Sequence, residues 1–199
     1  VHGAALGAAE VAATRAALGW HHPPFEVPPQ IRAAWDQREA GSARHREWRT
    51  RFEAYRAAHP QLAAEFARRV MRRALPTDYP QRSAEALAGI VAEAATIASR
   101  KASQNAISAL LPLLPELLGG SADLTGSNLT DGKTSVPVRR GPGGLAGNHV
   151  NYGVREFGMS AIMNGLALHG GFVPYGGTFL TFSDYARNAV RMSALMHQG

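Results

Sequence analysis

Cysteine is missing from this chain of 199 residues. That excludes disulfides, thiolate metal sites and cysteine nucleophiles, and it is compatible with a reducing compartment. Long apolar runs are missing as well. No stretch approaches the ~18 residues of a membrane-spanning helix, and no basic-then-apolar leader opens the chain. Phosphate-binding glycine signatures are absent: there is no G-x-G-x-x-G after a strand and no P-loop, and Gly141-Pro142-Gly143-Gly144 is loop composition. The histidines form no metal set, because His21 and His22 are adjacent in a proline-rich loop while His149, His169 and His197 are isolated. No residue is therefore assigned as a metal ligand. Acid is scarce in the last third, where Glu156 is the only carboxylate between Asp131 and Asp184.

At 45% hydrophobic and 18% charged, the composition is that of an ordinary globular protein with a substantial core. The formal charge of +6 comes largely from arginines interleaved with acids over residues 32–73. Such interleaving describes a solvated helix face rather than a nucleic-acid surface. The chain starts Val1-His2-Gly3 without an initiator Met and stops at Gly199 just past a helical pattern, which predicts a piece of a longer polypeptide.

Alanine-rich residues 7–18 predict a helix stopped by Gly19, and the prolines of WHHPPFEVPP forbid regular structure next. Apolar positions from Ile31 to Tyr55 recur at three and four, predicting one helix, or two broken near Gly41. Further helices are predicted around Leu62–Val70 and over 81–98. This first part reads as an arginine-rich helical connector or as an independent helical domain.

Beyond residue 98 a helix opens at Arg100-Lys101, and Leu117–Asp123 reads as a buried parallel strand running into a Gly/Ser/Thr loop. Residues 131–148 have loop composition. A helix from about Arg155 to His169 is apolar nearly all round, which predicts burial between layers, with Gly170-Gly171 as its cap. Phe172–Leu180 reads as a second strand and Ser183–His197 as a last helix. Strand, helix, strand, helix is the order of a parallel α/β sheet, whose ligands sit beyond the C-terminal strand ends.

Several residues are candidates there. Glu156 stands where a helix dipole stabilises a carboxylate, and it suits either proton exchange with a ring nitrogen or plain capping. Phe179, Phe182 and Tyr185 suit a wall for a planar ring, or core packing. Asp123 ends a strand, as a site acid or a turn residue. Arg100 at a helix start and Ser127 in the hydroxyl-rich loop can hold a phosphate ester, or serve as surface charge and turn.

The strings SRKASQNAI, LLPELLGGSADLTGSNLT, NYGVREFGM, AIMNGLALHGG and PYGGTFLTFSDYARNAVRMSALM resemble the pyrimidine-binding domain of transketolases. VHGAALGAAEVAATRAALGW and PFEVPPQI resemble the end of that family's preceding, diphosphate-binding domain and its connector. The resemblance implies an α/β fold: a partial parallel-sheet pyrimidine domain over 99–199, preceded over 1–98 by the end of the earlier domain and a helical connector. It implies transfer of a two-carbon ketol unit between sugar phosphates, with thiamine diphosphate and Mg²⁺ or Ca²⁺ held by a domain absent from this chain. It also implies a homodimer of the full-length protein in the cytoplasm, within the pentose phosphate pathway, with neither nucleic acid nor membrane as partner. By motif, Glu156 resembles the glutamate on the cofactor's aminopyrimidine nitrogen. Phe179, Phe182 and Tyr185 resemble that ring's pocket, and Asp123 an acid near the cofactor. Arg100 and Ser127 resemble the sugar-phosphate pair. His2 is left unassigned. A non-catalytic subunit that docks a separate diphosphate-domain chain, and a dihydroxyacetone synthase, remain as alternatives.

Overall fold

The computed structural model describes residues 3–198. Val1, His2 and Gly199, on which the expectation about the chain ends turns, lie outside the described residues. The chain forms two compact units that divide between Ala57 and Ala58.

The first unit is helical. It holds α1 (Ala8–Ala17), α2 (Pro29–Trp35) and nearly all of α3 (Arg38–Ala58). The break between α2 and α3 falls at Asp36-Gln37, not at Gly41, which lies inside α3. The cause is local: an Asp36 carboxylate oxygen accepts from the backbone N–H of Arg38 at 3.1 Å, capping the new helix. His45, Trp48, Phe52 and Tyr55 form a ladder along α3, with the Trp48 and Phe52 rings stacked 5.2 Å apart.

The second unit carries the sheet. Its entry is helical: α4 (Pro60–Phe66), a π-helical turn (Ala67–Met71), α5 (Tyr79–Ala92) and α6 (Ser99–Leu110). Helix α5 stops earlier than the 81–98 pattern predicts, because Ala94 adopts a left-handed φ of 48°. Strand β1 (Leu117–Ser121) follows, then a short α7 (Thr125–Asn128). Residues 131–148 are not all loop. They contain an exposed antiparallel hairpin of β2 (Arg139–Gly141) and β3 (Gly144–Ala146), and β4 (His149–Asn151) follows. Helix α8 (Glu156–His169), β5 (Val173–Gly177), a 3₁₀ turn (Leu180–Phe182) and α9 (Ser183–Leu195) complete the unit.

The main sheet is parallel, in the order β4-β1-β5. The expected α/β class therefore holds, with one strand more than the sequence indicated. Glycines let the central strand pack closely: a Cβ at Gly120 would collide with the Val150 carbonyl, and one at Gly119 with the Tyr175 ring. Helix α8 leans on β5 through Met159 and Met163, whose sulfurs face Gly176. It also receives α9, where Asn164 donates to the Ala189 carbonyl at 2.9 Å. Gly170 and Gly171 end it at φ 79° and 88°, as the cap reading expects.

Burial of α8 on all sides is not what the chain provides. Only Glu156, Met159 and Ser160 are buried, while Phe157 and Ile162 are 53% and 52% exposed. Sheet and α9 cover part of the helix surface and leave the rest open.

Below the sheet sits a buried ion cluster. Glu116, 3% exposed just before β1, accepts from Arg68 of the π turn at 2.7 and 3.0 Å. Arg68 also donates to Glu65 at 2.7 and 2.9 Å.

Candidate active site

Strand register brings the C-terminal ends into line: Ser121 pairs with Asn151 on one side and Gly177 on the other. The segments leaving those ends carry the polar groups. After β4, the chain turns through Tyr152-Gly153 into α8, and its first helical residue is Glu156, 8% exposed. After β5 comes Thr178, whose hydroxyl reaches Glu156 Oε1 at 3.5 Å. This long contact leaves carboxylate lone pairs open to another donor. After β1 comes Asp123, exposed and left-handed at φ 64°.

The aromatics line up beside this edge. Phe179 and Phe182 have centroids 5.7 Å apart, and Phe182 and Tyr185 6.1 Å apart. Phe179 is 40% and Tyr185 68% exposed, so they do not fill a core in this chain. They offer open ring faces instead.

A cleft of about 870 Å³ opens between the start of α6, the loop around Ser127 and the end of β5. That size is within the range of small-molecule sites. Arg100, Ser127, Thr178 and Phe179 line it. Arg100 makes no ion pair among the described residues, so a free cation and a hydroxyl share one cleft. Of the sequence-predicted residues, Arg100, Ser127 and Phe179 thus meet around the cleft. Glu156 stands next to it through Thr178, and Phe182 and Tyr185 extend from Phe179. Asp123 leaves the same strand edge but does not line the cleft.

Sequence reasoning missed Thr178, Tyr175 and Thr130. Tyr175 donates to the Thr130 carbonyl at 3.0 Å, and burial, aided by the Asp131 charge, pushes its phenol up to about 12. Nearby, burial holds His149 below its ordinary pKa; its Nε2 lies 3.2 Å from the Thr125 hydroxyl, while its Nδ1 and the Tyr152 hydroxyl are buried without hydrogen-bond partners among the described residues. The hydroxyl-rich run GSADLTGSNLT was the available signal for this loop.

Gly177 is the tight point of the edge. A Cβ there would collide with Thr130 Cγ2 and sit 3.1 Å from Asn128 Nδ2. Gly177→Val is expected to destabilise the protein by about 1–3 kcal/mol by overpacking, read as a lowered denaturant midpoint at unchanged m-value.

Comparison with known proteins then decides the family. The model of the transketolase pyrimidine binding domain matches residues 95–199, and that of the transketolase thiamine diphosphate binding domain matches residues 1–76. The chain belongs to the transketolase family. Transketolase 2 of Escherichia coli (strain K12) is 57% identical over 195 residues, covering 98% of this chain and 29% of that protein. Transketolase 2 of Xanthobacter flavus is 59% identical over 197 residues, covering 99% and 28%. The solved transketolase from Leishmania mexicana superposes with TM-score 0.79 at 36% identity, covering 97% of this chain and 28% of that one. A Pichia stipitis transketolase in complex with sedoheptulose 7-phosphate gives TM-score 0.73 at 38% identity, covering 89% and 27%. The chain spans less than a third of the length of these transketolases.

Proposed function

We propose that this chain supplies the aminopyrimidine side of a thiamine-diphosphate site in a transketolase that moves a two-carbon ketol unit between sugar phosphates. The observation that carries this reading is Glu156: a buried carboxylate at a helix start, beside the C-terminal edge of a parallel sheet, with a long hydrogen-bond contact to Thr178. When bound, thiamine diphosphate supplies an electron sink for making and breaking a carbon–carbon bond next to a carbonyl.

The residues present fit the ring half of that cofactor. Glu156 Oε1 and Oε2 can hold a proton at a ring nitrogen, while Phe179, Phe182 and Tyr185 offer apolar faces to a flat heterocycle. Asp123, at the end of the central strand, lies on the same edge and adds negative charge near the ring. Arg100 and Ser127 hold the sugar phosphate in the cleft through a charge-assisted pair of contacts.

The residues present do not fit the divalent cation. Among the described residues no group of three or more His, Asp or Glu side chains could hold a metal ion. Magnesium and the diphosphate belong, in this reading, to the diphosphate-binding domain. A homodimer of the full-length protein, in the cytoplasm, belongs to the same reading; the exposed Phe157 and Ile162 of α8 suit a partner surface, and among the described residues no helix is long and apolar enough to cross a membrane. We place the domain change near residue 99, where α6 begins.

The test compares the isolated chain with the longer polypeptide that carries it. The chain alone is expected to show no ketol transfer and only weak cofactor affinity, and the longer polypeptide to be active. Tight, Mg²⁺-dependent binding of thiamine diphosphate by the isolated chain would sink the half-site reading.

A further inference from the structure

One oxygen holds the loop that presents Ser127. Ser121 Oγ, in a residue 1% exposed, donates to the Gly177 carbonyl at 3.0 Å. It accepts from the Leu124 N–H and from Asn128 Nδ2, each at 3.0 Å. A hydroxyl has one proton and two lone pairs, so this one is saturated. Asn128 Oδ1 in turn accepts from the Thr130 hydroxyl at 2.9 Å. The Thr130 carbonyl accepts from Tyr175 on β5 at 3.0 Å. The loop between Ser121 and Thr130 is thereby tied to β1 and to β5, the two neighbouring strands. Ser127 sits inside this span with its backbone N–H on the Leu124 carbonyl at 2.8 Å. Its own hydroxyl has no hydrogen bond among the described residues and faces the cleft that Arg100 lines.

A loop fixed this thoroughly has lost its conformational freedom before a ligand arrives, so binding does not have to order it. Among the described residues none of these hydrogen bonds ends on Phe179, Phe182, Tyr185 or Glu156, so the variant below is aimed at the phosphate end of the cleft.

We propose that Asn128 and Thr130 are positioning residues that hold Ser127 against the phosphate of the substrate, and thereby set the preference for phosphorylated over unphosphorylated sugars. The inference rests on Arg100 and Ser127 holding that phosphate, as proposed above.

The test uses the longer polypeptide loaded with its cofactor, and the same acceptor aldose with and without its terminal phosphate. Thr130→Val keeps the shape of the side chain but leaves Asn128 Oδ1 without its donor. It is expected to raise KM for the phosphorylated acceptor roughly fivefold to tenfold, the loss of about one hydrogen bond's worth of binding. KM for the unphosphorylated acceptor and kcat for both should stay unchanged, and Thr130→Ser should restore the phosphorylated KM. A rise in both KM values together, or a fall in kcat with both substrates, would mean a merely structural role and overturn the inference. Ser127→Ala separates the two levels. If it leaves the phosphate preference intact, the reading of the phosphate end itself fails. If it removes that preference while Thr130→Val does not, only the network inference fails.

Discussion

Glu156→Gln is expected to lower kcat roughly 10²- to 10⁴-fold in the cofactor-loaded polypeptide that carries this chain, the usual worth of a positioned proton-transfer group. The amide nearly matches the carboxylate in shape, and its nitrogen and oxygen can still meet the Thr178 hydroxyl, which lies 3.5 Å from Oε1. Folding should therefore be spared, with a melting temperature within a few degrees of the parent. What the variant loses is the ability to carry negative charge and share a proton at the α8 N-terminus. The loss should persist at saturating thiamine diphosphate, because a missing proton partner is not a binding defect that mass action repairs. Glu156→Asp keeps the charge but withdraws it by one methylene, and should fall between the two. A Glu156→Gln enzyme with normal kcat at saturating cofactor would remove the carboxylate from the chemistry.

The position of Glu156 was legible in the sequence because two simple signals coincide there. An apolar helical pattern begins, and the only acid for many residues stands at its start. The β1 and β5 strands were legible because each is an apolar, glycine-bearing run bounded by turn residues. Strand β4 was not, since its three residues His149, Val150 and Asn151 are too few to show a period. The hairpin before it was hidden for a different reason: Arg139 to Ala146 are exposed on both faces and carry no alternation. Helix α8 misled in the other direction. Its apolar surface is real, but Phe157 and Ile162 stay about half exposed, and a sequence does not say whether an apolar face meets its own chain or another. Arg100, Ser127 and Phe179, singled out in the sequence, line one cleft. Thr178 and the Ser121–Asn128–Thr130 ties were not legible there, because their partners are set by strand register rather than by local spacing.

The Arg68–Glu116 pair is the clearest example of such a long-range tie, joining residues 48 positions apart. Its removal is expected to have the largest effect on stability. Arg68→Met leaves Glu116, whose side chain is 4% exposed, with no guanidinium closer among the described residues than that of Arg69 at 3.8 Å. Removing one partner of a buried pair costs about 3–5 kcal/mol. For a protein of this size that corresponds to a melting temperature lower by roughly 10 °C. Replacing both partners, Arg68→Met with Glu116→Leu, should recover much of the loss, because no buried charge is then stranded.

Acid should act on the same cluster. Burial alone would raise Glu116, but its hydrogen bonds with Arg68, a backbone hydrogen bond and the charges of Arg68 and Arg69 outweigh burial and hold it below the ordinary range. Glu65 is lowered from 4.5 to about 2, chiefly by its hydrogen bonds with Arg68. Both carboxylates have folded pKa values depressed below the unfolded ones, so their contribution is present above the ordinary carboxylate range and is lost as pH falls, for Glu65 toward about 2. Denaturant midpoints should fall with acid in the parent and fall less in the doubly substituted protein, where Glu116 is gone and Glu65 has lost Arg68, its chief partner, and keeps Arg69. Equal slopes in the two proteins, or a full-strength Arg68→Met single variant, would show that the pair is not what fastens the π turn to the base of the sheet.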